Sequence, residues 1–322
     1  MKALSDPIER IYSLGAEPLS RCLQAIELRL REVAAVSKDA AATIAAGGKR
    51  LRPLLVCITA WPAGDPDLAL VRSAVAVELI HAATLVHDDV LDDAPLRRGR
   101  PTVFAAAGRG AATATGDVLL SRAFAELQRN GSQPALERLS AASSALAQGE
   151  LRQREDAWRS DITIERYLSR CELKTARLFE VACELGALTT GADAAVVNAL
   201  GAFGREIGLA FQILDDVLDV TGPSERTGKR RGGDLLDGTA TLPLILARER
   251  ESELASLELR GLADTEAEAV CDLIVRSGAT DAARARAVDL TEQALGRLPA
   301  GLDGAQREAL GLVADGVVDR YG

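Results

Sequence analysis

The sequence predicts an all-α fold, and three features support this prediction. Alanine, leucine and valine supply most of the apolar residues, whereas aromatic residues make up only 3% of the chain. Alanine and leucine are strong helix formers, and long alternating runs of β-branched residues are absent from the sequence. Because the 322 residues contain no linker and no fixed-period repeat, we expect a single domain over 1–322, built as a bundle of ten or more helices.

The first half of the chain shows two helical regions separated by a break. Residues 5–45 are predicted to form one or two amphipathic helices, and a Pro- and Gly-containing loop follows at 61–66. Asp65 precedes a proline, which suits a helix N-cap. A long helix is therefore predicted from there to about Asp93, where Pro95 stops it.

The rest of the chain is predicted to contain two long loops and many helices. Residues 94–116 are rich in Gly, Pro and Arg and are predicted to form the first loop. The second is a polar loop at 222–233. Helices are predicted from about 240 to the end and, before that, at 117–129, 133–156, 163–188 and 193–221.

Charge and composition argue against several classes of protein. The net charge is −9, and no basic patch with interleaved aromatic residues occurs, so nucleic-acid binding is not expected. No apolar run of the length that a bilayer span needs is expected, and the N-terminus lacks the apolar core of a signal peptide. The cysteines show no CxxC spacing, which predicts buried free thiols and a cytoplasmic protein: Cys22, Cys57, Cys171, Cys183 and Cys271.

Two aspartate clusters lie in apolar, helix-forming segments. The segment AATLVHDDVLDD ends in Asp88, Asp89, Asp92 and Asp93, and the segment AFQILDDVLDV contains Asp215, Asp216 and Asp219. Aspartates four residues apart share a helix face and repel each other, and an apolar environment adds to the cost unless a cation neutralises them. Carboxylates and phosphate oxygens suit Mg²⁺. The repeat therefore indicates a metal site, although a solvated acidic face or a nuclease-type two-metal site stays possible.

Cationic residues accompany each cluster. Arg97 and Arg98 follow the first cluster directly, and Lys229 follows the second. Further upstream, the segment GGKRLRP at 47–53 places three cations in a glycine-flanked turn at the start of a helix, where anions are favoured. Guanidinium groups match phosphate oxygens in pairs. Acids that hold metal ions, together with cations for the remaining oxygens, indicate a metal-bridged diphosphate.

These segments resemble the all-trans isoprenyl (polyprenyl) diphosphate synthase family. The likeness is carried, in the family's order, by GGKRLRP, ELIHAATLVHDDVLDDAPLRRGRPT, ELKTARLFE, FQILDDVLDV and GKRRGGDLLDGTATLP. The resemblance implies an all-α fold around a deep central cavity, usually in a homodimer. It also implies head-to-tail condensation of isopentenyl diphosphate onto an allylic diphosphate, with Mg²⁺ as cofactor and three ions in each active site.

The resemblance also implies roles for individual residues. Mg²⁺ on the allylic diphosphate would be held from one side by Asp88, Asp89 and Asp92, and from the other by Asp215, supported by Asp216 and Asp219. The allylic diphosphate itself would be contacted by Arg97, Lys174 and Lys229. Isopentenyl diphosphate would be bound by Lys49, Arg52, His81 and Arg98. The forming allylic cation would lie beside Thr175 and Gln212.

Three positions bear on substrate handling. Thr239 stands where the family often has a lysine, and Arg230 or Arg231 is expected to compensate for the missing contact. Ala83 and Thr84 lie about one helical turn before Asp88; in the family, a bulky aromatic residue there stops the product at fifteen carbons. Because both residues are small, we expect them to face the growing chain and the product to have twenty carbons or more.

Three alternatives compete with this interpretation. A class I terpene cyclase would share the helical fold and one DDxxD, but GGKRLRP and the second DDxxD argue against it. A non-catalytic partner subunit of a heteromeric prenyl synthase would be expected to lose an acid cluster, and this chain keeps both. A plain helical scaffold leaves the clustered acids unexplained.

Overall fold

The computed structural model describes residues 7–61, 64–222 and 231–319. Within these ranges the protein is helical apart from one short hairpin and the connecting loops, which confirms the all-α fold with ten or more helices. The chain folds as two compact units, each contributed by three stretches of sequence. The single domain over 1–322 stays a prediction.

The first unit comprises Met1–Ser144, Leu178–Gly204 and Leu298–Leu312. A hairpin of two short antiparallel strands, β1 (Leu96–Arg97) and β2 (Arg100–Pro101), follows its fourth helix. The helices that lie wholly within this first stretch are α1 (Pro7–Ala34), α2 (Lys38–Ala45), α3 (Leu51–Ala60), α4 (Leu68–Leu91) and α5 (Val103–Gln128).

The second unit comprises Ala145–Arg177, Arg205–Arg297 and Val313–Gly322. It contains a π-helical turn, Glu172–Ala176, directly after α7 (Ile164–Cys171). A boundary between the two units falls within four of the helices, which are α6 (Gln133–Asp156), α8 (Arg177–Thr189), α9 (Ala194–Thr221) and α15 (Gly304–Asp319). The remaining helices of the second unit are α10 (Gly233–Leu236), α11 (Leu242–Arg250), α12 (Ser252–Ala255), α13 (Asp264–Arg276) and α14 (Ala279–Gly296).

Helices α4 and α9, which carry the two aspartate clusters, are apolar along most of their length. By length and composition alone both could cross a membrane, so the prediction that no apolar run reaches this length is wrong. It fails because isolated charged residues, such as Glu78 in α4 and Arg205 and Glu206 in α9, interrupt the apolar sequence without lowering the mean hydropathy of the surrounding window enough. In the most apolar window, 72% of α4 and 50% of α9 is buried in the protein, as is typical of core helices.

Two local predictions are wrong. Helix α4 begins later than expected, and its N-cap is Asp67, whose side chain accepts a hydrogen bond from the Ala69 N–H at 3.2 Å. Asp65 instead forms an ion pair with Arg21 at 3.1 Å. Residues 94–116 are not a long loop, because α5 already begins at Val103.

The glycines between 94 and 116 suggest a loop, but the alanine-rich helix α5 tolerates them. The hydroxyl of Thr102 caps α5 by accepting a hydrogen bond from the Ala105 N–H at 3.0 Å. Within α5, Gly108 leaves the helical region, with a φ of 84°. The remaining residues continue the helix, as the high helix propensity of alanine favours.

The prediction of buried free thiols is confirmed for all five cysteines. They are scattered in sequence, but two of them meet in the first unit, where the Sγ atoms of Cys22 and Cys57 lie 3.1 Å apart.

Candidate active site

The first aspartate cluster forms the C-terminal end of α4. Asp88 and Asp89 lie in its last turn, and Asp92 is the C-cap. Asp93 adopts a left-handed φ of 48°, and the Ala94 N–H donates to the Asp89 carbonyl at 3.0 Å, a Schellman-type helix end. Carboxylates at a helix C-terminus face the negative end of the macrodipole, so this arrangement favours bound cations.

The hairpin after α4 brings an arginine to the buried member of the cluster. Arg98 and Gly99 form its two-residue turn with φ values of 52° and 72°, as in a type I′ turn. Arg97, on β1, donates from Nε to Asp89 Oδ1 at 2.7 Å. Asp89 is only 5% exposed, and burial raises its pKa while the Arg97 charge opposes the rise.

The same turn brings Arg98 to the GGKRLRP segment. Its Nη1 donates to the Gly47 carbonyl. A Cβ on Gly48 would lie 2.8 Å from Arg98 Nη1, so any larger residue at this position would displace the guanidinium from its observed place. The structure thus brings Arg98 to residues 47–53 in the first unit, while its role in binding isopentenyl diphosphate stays a prediction.

Two arginines of the GGKRLRP segment have different environments. Arg50 donates to Glu78 Oε1 at 2.7 Å and to the Ile44 carbonyl at 2.8 Å, so it is held within the protein. The Arg52 guanidinium lies 4.5 Å from the centroid of the Phe179 ring. Burial lowers the pKa of Arg52 to about 10, although Glu78 opposes this shift, and its Nε has no hydrogen-bond partner. A desolvated guanidinium with an unused donor suits an anion such as a diphosphate.

His81 lies in this same positive environment. Burial lowers its pKa well below the ordinary value, and the charges of Arg52, Arg98, Arg97 and Arg50 lower it further. The imidazole is therefore neutral at pH 7 and can donate a hydrogen bond without adding charge. Lys49 is exposed beside this group of residues.

The two predicted chain-length residues differ in exposure. Ala83 is only 1% exposed, whereas Thr84 is half-buried and donates its hydroxyl to the His81 carbonyl at 2.9 Å. Thr84 is therefore the better candidate for contact with a ligand, although the role of both residues stays a prediction.

The second cluster lies on α9, and its central carboxylate is surrounded by neutral donors. The Tyr167 hydroxyl donates to Asp216 Oδ2 at 2.6 Å, and Gln212 Nε2 donates to Asp216 Oδ1 at 2.8 Å. The Thr175 hydroxyl donates to Gln212 Oε1 at 2.7 Å. Asp216 is 4% exposed; burial raises its pKa to about 7, although the hydrogen bonds from Tyr167 and Gln212 oppose this.

The π-helical turn displays Lys174 and Thr175, as π turns often do at functional sites. Lys174 Nζ donates to Glu150 Oε2 at 2.5 Å. A Cβ on Gly149 would lie 2.5 Å from the Lys174 backbone nitrogen, so α6 can approach this turn closely only with a glycine there. Burial would raise the pKa of Glu150, but Lys174 and Arg154 outweigh it and hold the pKa below its ordinary value.

Asp219 is tied to the segment that follows the second loop. Its Oδ2 accepts a hydrogen bond from the Asp234 N–H at 3.2 Å, and the Thr239 N–H donates to the Asp234 carbonyl at 2.8 Å. Arg231 donates to the Val220 carbonyl at 2.5 Å and to Asp272 at 2.8 Å. These bonds engage Arg231 elsewhere, so they do not favour it as a substitute for a lysine at position 239. Lys229 and Arg230 lie outside the described residues.

Sequence reasoning missed several residues that hold these groups in place. Glu78, which accepts a hydrogen bond from Arg50, lies three residues before His81 on α4, so its place on that helix face could have been noticed. Glu150 and Tyr167 gave no such signal, because each meets its partner through tertiary structure. Glu150 is 24 residues from Lys174, and Tyr167 is 49 residues from Asp216.

The fold and the two aspartate-bearing helices define an all-α protein of the isoprenoid synthase type. The chain belongs to the polyprenyl synthetase family, whose model matches residues 34–276. It is 38% identical to heptaprenyl diphosphate synthase component 2 of Geobacillus stearothermophilus over 313 residues, covering 96% of each chain. It is 35% identical to geranylgeranyl diphosphate synthase of Methanosarcina mazei over 280 residues, covering 85% of this chain and 86% of that one.

A solved structure supports the same assignment. A polyprenyl synthase from Caulobacter crescentus CB15, complexed with calcium and isoprenyl diphosphate, matches with a TM-score of 0.86 and 36% sequence identity. The match covers 98% of both chains. Family membership therefore extends through both compact units.

Proposed function

We propose that this protein is a Mg²⁺-dependent trans-prenyltransferase that condenses isopentenyl diphosphate head-to-tail onto an allylic diphosphate. The observation that carries this proposal is the group formed by desolvated Arg52, neutral His81 and exposed Arg98, which suits a diphosphate. A terpene cyclase has no use for an isopentenyl diphosphate site of this kind. The Caulobacter relative, complexed with isoprenyl diphosphate, supports the same ligand class.

The aspartate clusters have donors that fit Mg²⁺. Among the described residues, no group of three or more Asp, Glu, His or Cys side chains could hold a metal ion alone. Mg²⁺ takes one or two carboxylates and completes its coordination with phosphate oxygens and water. We propose that Asp88, Asp89, Asp92, Asp215 and Asp219 hold Mg²⁺, which would neutralise charge on the leaving diphosphate.

The reaction places different demands on the protein's own side chains. Ionisation of an allylic C–O bond leaves negative charge on the diphosphate, and fixed cations such as Arg97 and Lys174 lower its free energy. The oxygens of Thr175 and Gln212 suit a neighbouring allylic cation. Isopentenyl diphosphate would be held by Lys49, Arg52, His81 and Arg98 while its double bond attacks that cation. The resemblance assigns the lost proton to the departed diphosphate.

One assay tests this proposal directly. The purified chain is incubated with Mg²⁺, radiolabelled isopentenyl diphosphate and farnesyl diphosphate, and the products are separated by chain length. We expect Mg²⁺-dependent elongation that EDTA abolishes. Cyclic hydrocarbons without isopentenyl incorporation would identify a cyclase instead, and the absence of both activities would refute catalysis by this chain alone.

We propose a product of twenty carbons or more, because Ala83 and Thr84 are small. The two relatives named above are a heptaprenyl and a geranylgeranyl diphosphate synthase, which supports this range. The variant Thr84→Phe is expected to shorten the product, with Thr84→Ser as the matched control. An unchanged product length in Thr84→Phe would remove this position from the length control.

The active enzyme could be a homodimer of this chain or an assembly of this chain with a different partner subunit. The Geobacillus relative is named as component 2, which raises the question of whether a second chain is needed. We propose a homodimer that is active alone. Sedimentation of the purified chain, with activity measured on the same sample, distinguishes an active homodimer from an inactive chain that requires a different partner.

A further inference from the structure

Hydrogen bonds in the second unit connect four side chains and converge on Asp216. Thr175 donates to Gln212, Gln212 donates to Asp216, and Tyr167 donates to Asp216 from the other side. Tyr167 is fully buried, and the Arg170 guanidinium lies 5.5 Å from the centroid of its ring. Arg170 also donates to the Ala240 carbonyl at 2.7 Å. The tyrosine hydroxyl is therefore held in place by its surroundings.

The observed bonds fix the orientation of the Gln212 amide. Asp216 accepts from both Tyr167 and Gln212, so the amide nitrogen of Gln212 faces Asp216. The amide oxygen of Gln212 then faces Thr175 and accepts the single hydroxyl proton of that residue. With this proton used, Thr175 Oγ1 can offer only lone pairs to any further group. Without Asp216, the amide could rotate and offer N–H groups instead.

We propose that Tyr167 and Asp216 are positioning residues that make Gln212 and Thr175 offer oxygen lone pairs to an allylic cation. This proposal rests on the proposed function, because only a reaction through a cation benefits from such oxygens. Oriented dipoles that face developing charge lower its free energy without reorganisation during the reaction.

The same geometry gives Asp216 a role that differs from that of Asp215 and Asp219. Each of its carboxylate oxygens accepts a hydrogen bond, and the residue is almost completely buried. Asp216 therefore acts through Gln212 and is not a ligand of Mg²⁺, although its spacing in the DDxxD segment suggests one.

Conservative variants separate hydrogen bonding from metal binding. In Asp216→Asn, the new amide can accept from Gln212 and donate to the Tyr167 oxygen, so both bonds can be kept. Asp216→Leu has a similar shape but keeps neither. We expect kcat to fall less than about tenfold in Asp216→Asn and about a hundredfold in Asp216→Leu. Equal losses in the two variants would overturn the proposal.

A tyrosine variant tests the Tyr167 end of this hydrogen-bond network. Tyr167→Phe is expected to lower kcat about tenfold while the KM for isopentenyl diphosphate stays within about twofold. The matched control is Tyr12→Phe, at a half-exposed tyrosine on α1, for which both constants should be unchanged. A normal kcat in Tyr167→Phe would contradict the proposal. If Tyr167→Phe does not fold, the two Asp216 variants decide the matter.

Melting temperatures provide a readout that does not depend on turnover. Mg²⁺ with inorganic diphosphate should raise the melting temperature of the wild type, Tyr167→Phe and Asp216→Asn by similar amounts, and that of Asp215→Asn far less. If this rise in melting temperature is reduced as much in Asp216→Asn as in Asp215→Asn, Asp216 is a Mg²⁺ ligand and its assigned role is overturned. If the wild type incorporates no isopentenyl units, the proposed function fails, and this comparison still decides the role of Asp216.

Discussion

The two aspartate clusters share the DDxxD spacing but are neutralised in different ways. In the first cluster, buried Asp89 is paired with the guanidinium of Arg97. In the second, buried Asp216 accepts its hydrogen bonds from two neutral donors, Tyr167 and Gln212. The central carboxylate of one cluster thus has a permanent cation beside it, whereas that of the other is held by dipoles.

This difference shows that identical spacing does not impose identical chemistry. A cation beside a buried carboxylate favours its ionised form, and Arg97 opposes the burial-induced rise in the pKa of Asp89. Burial dominates at Asp216 and raises its pKa to about 7. The first cluster therefore has part of its charge compensation built into the hairpin after α4, whereas the buried carboxylate of the second is held by neutral donors.

The largest expected effect comes from removing one outer carboxylate in each cluster. Asp88→Asn and Asp215→Asn should each lower kcat about a hundredfold or more, because each removes charge from metal binding. If both clusters serve one diphosphate, the double variant should lose little more than either single variant. Steady-state rates at saturating Mg²⁺ measure this.

The control for these variants is Asp281→Asn, whose side chain is 81% exposed and should tolerate the change without loss of rate. If the fold losses in kcat of the two single variants multiply in the double variant, the two clusters act independently. Such a result would contradict the interpretation that both clusters serve the same diphosphate.

The sequence predicts the helices and the acids well because both depend on local patterns. The segment 133–156 coincides with α6 because its helical periodicity is not interrupted, and the DDxxD spacing is visible without any structure. The hairpin at Arg98 was missed because its turn, Arg-Gly, lacks the usual Asn-Gly signal. The Tyr167–Asp216 contact could not be predicted, because no periodic pattern links residues 49 positions apart.

Breaking the buried ion pair of the first cluster should lower the stability of the protein more than breaking an exposed ion pair nearby. Arg97→Gln leaves the buried Asp89 carboxylate without its cation, which should cost about 1–3 kcal/mol of folding free energy. The control is Arg109→Gln, whose ion pair with Asp93 is exposed and should contribute less than about 1 kcal/mol. Urea unfolding of both variants at pH 7 measures the difference, and equal losses would show that the burial of Asp89 has no consequence.

Adding a cation should make the second cluster more like the first. Thr239 is connected to Asp219 through the backbone of Asp234. Thr239→Lys should lower the KM for the allylic diphosphate by about threefold to tenfold, because a charged donor strengthens a phosphate contact. Thr239→Gln, which adds length without charge, is the control. An unchanged KM in both variants would mean that position 239 does not contact the ligand.

The last prediction concerns an acid outside the site, which tests whether arginines keep a buried carboxylate ionised, as we propose for Arg97 and Asp89. Glu126 is 1% exposed and accepts hydrogen bonds from Arg29 at 2.9 and 2.7 Å. Burial would raise the pKa of Glu126, but the hydrogen bonds and charge of Arg29, with the charge of Arg129, hold it below the ordinary value of 4.5. Glu126→Gln keeps the shape but loses the charge, and should therefore cost about 2 kcal/mol at pH 7.

The pH dependence of this loss has a definite sign. A carboxyl whose pKa is lower in the folded state stabilises the protein fully above its unfolded pKa, and this contribution disappears as the pH falls through the folded pKa. The difference in unfolding free energy between the wild type and Glu126→Gln should therefore be constant from pH 8 to about 5 and shrink below about 4.5. A difference that instead shrinks as the pH rises from 5 to 8 would show that burial outweighs the arginines at Glu126, and would remove the basis for expecting Arg97 to keep Asp89 ionised.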